Sequence, residues 1–255
     1  MIEKLNAVLD LFTRERPEWA ASEVAQALAM PRSTSYRLLA RVSTAGFLDN
    51  DPASGRYRLS IRLATLGALA QHSTQLQRVA HPVLQQLASE GLEMATLMVR
   101  SGLAARVIDV VEGPRLMSDV PPLIGCLLPL HASAGGKVLL AYAGDDERRS
   151  LYRRGLPAQT PATTTDPDVL EAELRRVREQ GHAVVRGEWH AEMFGVAAPI
   201  RGHARAVVGA ITLGGPRARV TDARLEALAA LAVSAAQQVS AAIAERRLES
   251  AERAG

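Results

Sequence analysis

Cysteine is almost missing: Cys126 is the only one in 255 residues. One thiol closes no internal disulfide and completes no zinc–thiolate cluster, so the chain reads as suited to a reducing cytosol. Cys126 itself reads as a small buried apolar side chain. Aromatic residues are scarce, at 4%, too few for a stacking platform along single-stranded nucleic acid. Met1-Ile2-Glu3-Lys4 lacks the basic-then-apolar pattern of a signal segment. The longest uncharged stretch lies between Glu226 and Glu245 and contains Ser234, Gln237, Gln238 and Ser240. It reads as too polar for a membrane span and better suited to a surface helix with one apolar face, so no membrane partner is expected. No internal repeat is visible.

Apolar residues make up 47% of the chain, enough for one large core or two small ones. The net charge is only +3, and its placement says more than its size. From Pro31 to Arg62 there are six arginines (32, 37, 41, 56, 58 and 62) against Asp49 and Asp51, a local net of +4. The remainder is close to neutral.

That basic window has a recognisable local pattern. Leu5, Val8, Leu9 and Phe12 form one helical stripe, ended by Pro17. Ser22 stands where an N-cap would open a short second helix. Pro31 fits the first turn of a third, in which Ser35, Leu38, Leu39 and Val42 repeat the stripe and Gly46 supplies a stop. Two short helices joined by Ala29-Met30-Pro31 are a helix-turn-helix. With the stripe facing a core, Arg32, Ser33, Thr34, Tyr36, Arg37 and Arg41 are left for a ligand, and their donors suit phosphates and base edges. Phe47-Leu48 and Arg56-Tyr57-Arg58-Leu59 flank a Pro/Gly turn and read as a two-stranded wing. Arg56, Tyr57 and Arg58 would then touch the DNA backbone or the minor groove. Basic charge, helix spacing and hairpin agree on double-stranded DNA as partner.

Beyond this, Ile61–Gln71 reads as a helix. A further helical stretch carries Leu76, Val79, Val83 and Leu87, with a kink or break expected at His81-Pro82. Met94–Arg100 and Ala105–Val111 read as a hairpin about Ser101-Gly102, and Val207–Leu213 as another strand. Helices are expected over about 131–142, from about Asp145, over Asp166–Gln180, and from Thr221 to about Glu249. The mixture is an α+β domain.

No catalytic motif survives inspection. Gly135-Gly136-Lys137 is no phosphate loop, because residue 131 is His and Val138 follows the lysine. His182, His190 and His203 are too far apart to mark a metal site, although Glu188 and Glu192 flank His190. No cofactor or metal is expected. Two rival readings remain: a cytosolic enzyme acting on a small acid, and a regulator sensing metal or redox state through His190 or Cys126.

Specific segments resemble the IclR family of bacterial transcription regulators. They are residues 30–39, Gly46-Phe47-Leu48, Asp51-Pro52 and Tyr57-Arg58-Leu59, then Pro129-Leu130-His131-Ala132-Ser133-Ala134-Gly135-Gly136-Lys137. Thr160-Pro161, Asp166-Pro167, residues 178–183, Ala197-Ala198-Pro199 and Gly214-Gly215-Pro216 complete the match. The resemblance implies a winged helix-turn-helix over 1–60, a linker helix over 61–72 that helps dimerise, and a GAF-like effector and oligomerisation domain over 73–255. It implies a cytoplasmic repressor or activator, working as a homodimer or a pair of dimers on an operator and controlled by a small organic acid. Effector binding would alter the spacing of the DNA-binding heads through 61–71.

Carried over by position, Met117, Val120 and Leu128 would wall the effector site. Ala134 and Gly135 would offer amides to an anion, and Thr212 matches a hydroxyl position. The sequence departs from the family pattern at four places. Gly195 stands for a common cysteine, Val185 for a frequent acid, Gly214 for a second hydroxyl and Glu192 for a glycine. A site so stripped of polar groups points to a larger or more apolar effector, such as an aromatic or branched acid; the alternative is a site that has lost its ligand.

Overall fold

A computed structural model describes residues 2–13, 16–73, 75–115 and 123–252. The chain divides into two compact units, Met1–Ser73 and Thr74–Gly255.

The first unit contains α1 (Ile2–Leu9), β1 (Glu18–Ala20), α2 (Ala21–Ala27), α3 (Arg32–Thr44), β2 (Leu48–Asn50), β3 (Arg56–Leu59) and α4 (Ile61–Ser73). Its core gathers Val8, Trp19, Val24, Leu39, Val42, Leu48 and Tyr57, so the helical stripes of α1 and α3 do face inward. The α2–α3 angle is fixed by a buried polar contact: the Ser35 hydroxyl donates to Ala21 O at 2.7 Å. Gly46, at φ +79°, makes the reversal after α3 that a side chain would resist.

Two details differ from expectation. Helix α2 begins one residue before Ser22. Its first free amide, that of Ala20, is met by the Glu23 carboxylate at 2.8 Å, so a reaching acid replaces the hydroxyl cap. The wing also has a third strand, with sheet order β1-β3-β2, all pairs antiparallel. A three-residue strand is too short to show alternation in sequence.

The second unit is one antiparallel sheet in the order β6-β5-β4-β9-β8-β7. These are β4 (Met94–Ser101), β5 (Ala104–Val111), β6 (Leu127–Pro129), β7 (Ala183–Arg186), β8 (Met193–Arg201) and β9 (Val207–Pro216). Helices α5 (Gln75–Gly91) and α9 (Asp222–Glu252) cover one face. Helices α6 (Ala134–Ala141), α7 (Asp145–Arg154) and α8 (Pro167–Gln180) belong with the other. Strand alternation assigns the faces: Ala95, Leu97, Ile211 and Leu213 join α5 and α9 in one core, while Met98, Ala197 and Ala210 join α6 and α8 in the second.

Helix α5 continues through Pro82 without a break. The hydrogen bond that proline removes lies on an exposed face, where Arg78 and Pro82 meet solvent. Helix α8 follows the pattern read from sequence. Asp166 caps it through the amides of Asp168 and Val169, and Gly181 leaves it in the left-handed region. Within α9, Asp222–Glu245 is apolar and long enough to cross a membrane by composition alone, which corrects the expectation that it is too polar. Its Leu225, Leu228, Ala232, Ala236 and Val239 are buried in the α5–α9 core, while Glu226, Ala230, Ser234, Gln237 and Gln238 are exposed, so it is the helix with one buried apolar face that the sequence suggests.

Candidate functional site

In the first unit, α3 turns Arg32, Ser33, Tyr36, Arg37 and Arg41 outward, with Tyr36 56% exposed, and leaves Thr34 half-buried. Among the described residues, Arg32 and Arg37 enter no ion pair, so their charge is available to a partner. The wing turn is stiffened by Asp51, which accepts from the Ala53 amide at 3.0 Å and the Ser54 hydroxyl at 2.6 Å. These bonds, the Ser54 one foremost, hold the Asp51 carboxyl below its usual range.

Two wing residues depart from expectation. Tyr57 is buried in the core at 6% exposure and faces away from any DNA; strand alternation between Arg56 and Arg58 requires this. Arg56 is half-buried and paired with Glu23 at 2.9 Å, so part of its charge is already spent. Arg58 is exposed.

The second unit holds a cavity of about 500 Å³, its open mouth included. The register of the sheet builds its floor. One row runs Val185, Gly195, Gly214, Met94 across four strands, and the next runs Ala197, Thr212, Thr96. Val185, Gly195, Thr212 and Gly214, widely separated in sequence, thus stand side by side on the cavity floor. Leu128 and Ala134 also line the cavity. Gly135 is packed directly on Thr212: a Cβ there would lie 3.0 Å from its Oγ1 and 2.5 Å from Met98 Sδ. Met117 and Val120 fall outside the described residues.

The roof is the start of α6. The helix begins at Ala134, three residues later than the sequence pattern predicts, because Ser133 caps it and accepts from the Gly136 amide at 3.1 Å. The first intrahelical bond runs from the Lys137 amide to Ser133 O. The Ala134 and Gly135 amides precede it and have no acceptor within the helix. Beneath them, the hydroxyls of Thr96 and Thr212 are buried, at 2% and 6% exposure, with no hydrogen-bond partner. Polar groups without partners beside a mostly apolar cavity are an arrangement that suits a small anion with an apolar body. The walls are Met94, Met98, Met193, Phe194 and Trp189.

Nearby titratable groups are structural. His131 is buried with Nε2 against Pro157 O at 3.0 Å. Burial lowers its pKa and keeps the ring neutral, with Nε2 carrying the proton it donates. His190 is exposed at the cavity mouth. Its neighbour Glu188 turns to Lys137, so the two carboxylates flanking His190 do not converge on it. Among the described residues no group of three metal-ligating side chains is assembled. Cys126 is exposed, contrary to expectation. It sits in a turn whose backbone is pinned to Val107 by two hydrogen bonds, which leaves the side chain pointing outward.

Family models decide what this pairing of units is. Residues 2–52 match the IclR helix-turn-helix domain. Residues 68–241 match the bacterial transcriptional regulator IclR C-terminal domain. The chain belongs to the IclR family. It is a DNA-binding transcriptional regulator whose C-terminal domain takes small effectors, and it is not an enzyme. The rival reading as a cytosolic enzyme is thereby set aside.

Among relatives, the chain is 32% identical over 226 residues to the transcriptional repressor IclR of Escherichia coli, covering 88% of this chain and 82% of that one. It is 30% identical over 225 residues to the Escherichia coli regulator XynR, with 88% and 89% covered. An IclR homologue from Microbacterium hydrocarbonoxydans, solved with 4-hydroxybenzoate, superposes with a TM-score of 0.82 at 25% identity, over 96% and 99% of the chains.

For this IclR-type regulator, the sequence missed Met94, Thr96 and Met98 on β4 and the aromatic pair Trp189 and Phe194. Thr96 carried a usable signal. In Met94-Ala95-Thr96-Leu97-Met98 it interrupts an apolar strand on the face it shares with both methionines, and that position is expensive for a hydroxyl unless it has a use.

Proposed function

We propose that this regulator is a homodimeric repressor whose cavity binds an aromatic monocarboxylic acid. Four donors carry the reading: the Thr96 and Thr212 hydroxyls and the Ala134 and Gly135 amides. Thr96, Thr212 and Ala134 line the cavity and Gly135 packs on Thr212, which supports a carboxylate at this end, and the surrounding wall suits a ring. Thioether and aromatic side chains give a ring favourable edge and face contacts. The glycines at 195 and 214 keep the floor low: a Cβ would stand 3.1 Å from the Ala134 Cβ at one and 3.3 Å from Phe194 O at the other. The ligand of the Microbacterium homologue is an acid of this class.

On the DNA side, Arg32, Ser33 and Thr34 at the start of α3 read base edges. Tyr36, Arg37 and Arg41 fix register on phosphates, Arg58 holds the backbone at the wing, and Arg56 contributes only what its pairing with Glu23 leaves. In a symmetric dimer, two such helices meet successive major grooves about 34 Å apart. The work is done in the cytoplasm, and the effector lowers operator affinity because it favours one of two arrangements of the heads. Repression is the activity named for the Escherichia coli relative.

Calorimetric titration with benzoate, 4-hydroxybenzoate, isovalerate and glyoxylate, beside gel shifts on fragmented genomic DNA, tests both halves. Binding of the aromatic acids, with release of the shifted fragment, is expected. Tight glyoxylate binding with no aromatic binding overturns the ligand class.

A further inference from the structure

Lys137, one turn into the helix that roofs the cavity, has no role in the function derived so far. It is nonetheless the most deeply buried cation described: its side chain is 4% exposed, and its ammonium lies 2.6 Å from Glu173 Oε2 and 2.5 Å from Glu188 Oε2. Two carboxylates on separate elements share one ammonium. Glu173, on α8, is further held by the Thr164 hydroxyl at 2.9 Å. Glu188 belongs to the loop after β7, and Gly187, Glu188, Trp189 and His190 of that loop all line the cavity.

The loop backbone is pinned separately. Thr160 Oγ1 donates to Gly187 O at 2.5 Å and Thr163 Oγ1 to Glu188 O at 2.6 Å. Gly187 sits at φ +72°, where a Cβ would come within 2.9 Å of Ala191 O. These bonds tie the loop to the 160–163 turn and leave its attachment to α6 to one described ion pair, the one between Lys137 and Glu188.

We propose that Lys137 is the positioning residue of the effector cavity: through Glu188 it locks the Trp189 wall to the helix that receives the ligand's carboxylate. The inference rests on the cavity being the effector site. Burial pushes the Glu188 carboxyl up, with Lys137 as the main opposing influence, so the ionised form of Glu188 depends on this lysine. A buried charge kept for geometry is otherwise hard to account for, since apolar packing at the same place costs less. Lys137 touches no ligand; it acts by fixing where Trp189 stands relative to Ala134 and Gly135.

The chain has two tryptophans, so Trp19→Phe in the full-length protein leaves Trp189 as sole reporter. In that background Glu188→Gln and Lys137→Met are each expected to move the ligand-free Trp189 emission to longer wavelength. Affinity for 4-hydroxybenzoate falls about tenfold, the lower end of the roughly 10–100-fold lost when an outer-shell support is removed from a metal site. Ligand-free operator binding stays as in the parent. Lys137→Arg, which keeps the cation, restores emission and affinity. Glu188→Gln carries the test should the uncompensated carboxylates of Lys137→Met prevent folding. Unchanged emission and affinity in Glu188→Gln overturn the proposal, as does a lowered Tm with neither changed. Should the parent bind no aromatic acid, the ligand class fails, while the ligand-free emission still decides the role of Lys137.

Discussion

Replacing Thr212 with valine should make the ligand-free protein more stable and a poorer sensor. Thr212 is 6% exposed and its hydroxyl meets no partner. A buried hydroxyl without a hydrogen bond costs about 1–3 kcal/mol. Valine keeps the shape and removes that cost, and taking the lower end gives a gain of about 1 kcal/mol. For a unit of this size the gain raises Tm by about 2–4 °C. Binding responds in the opposite sense: a hydrogen bond from a hydroxyl to a carboxylate is worth about 1.5–3 kcal/mol, so Kd should rise about 10- to 150-fold. Differential scanning calorimetry without ligand gives the first number, and titration with 4-hydroxybenzoate gives the second. Thr96→Val should behave alike, and because the two threonines are direct cross-strand neighbours the double variant should depart from additivity. A less stable Thr212→Val protein, or one binding the acid as well as wild type, would refute the claim that this hydroxyl is held in reserve for a ligand.

The same geometry sets three other outcomes. Arg37→Ala should weaken operator binding across sequences and reduce the slope of log affinity against log salt by about 1; an unaltered slope in gel shifts or fluorescence anisotropy removes Arg37 from the phosphate contacts. Ser35→Ala should cost the first unit about 1 kcal/mol, since it removes a buried hydrogen bond between α2 and α3, and thermal unfolding measures it. Glu93→Gln has a pH signature. Glu93 is 2% exposed and burial raises its carboxyl pKa, so the folded protein holds the proton more tightly than the unfolded chain. Ionised Glu93 therefore costs stability above its folded pKa and costs nothing below the unfolded one. Glu93→Gln should melt higher than wild type at pH 8, with the difference closing as the pH falls towards 4. A pH-independent difference would mean that Glu93 does not titrate in that window.

Legibility in the sequence tracked periodicity. The stripes of α1 and α3, the capped and glycine-ended α8 and the β4–β5 hairpin all repeat over several residues and were readable. Strands β1, β6 and β7, of three or four residues, gave no alternation to read. Pro82 misled because its penalty depends on whether the lost hydrogen bond is exposed, and Cys126 because its exposure is set by a backbone turn rather than by its own polarity. The cavity was half legible. Val185, Gly195, Thr212 and Gly214 came through family resemblance, and only the sheet register set them in adjoining rows. Trp189 depended on a loop path fixed by Thr160, Thr163 and Lys137, all distant from it in sequence. Tyr57 shows the converse error, in which a basic run read as a single surface hid the inward residue between two outward ones.

Strands β4 and β9 present alternate residues to two separate compartments, with Met94, Thr96, Met98, Thr212 and Gly214 on one side and Ala95, Leu97, Ile211 and Leu213 on the other. Substitutions that retune chemical taste can therefore accumulate at every second position while the residues that hold α5 and α9 stay as they are. A lineage of such proteins could change diet many times without rebuilding its skeleton.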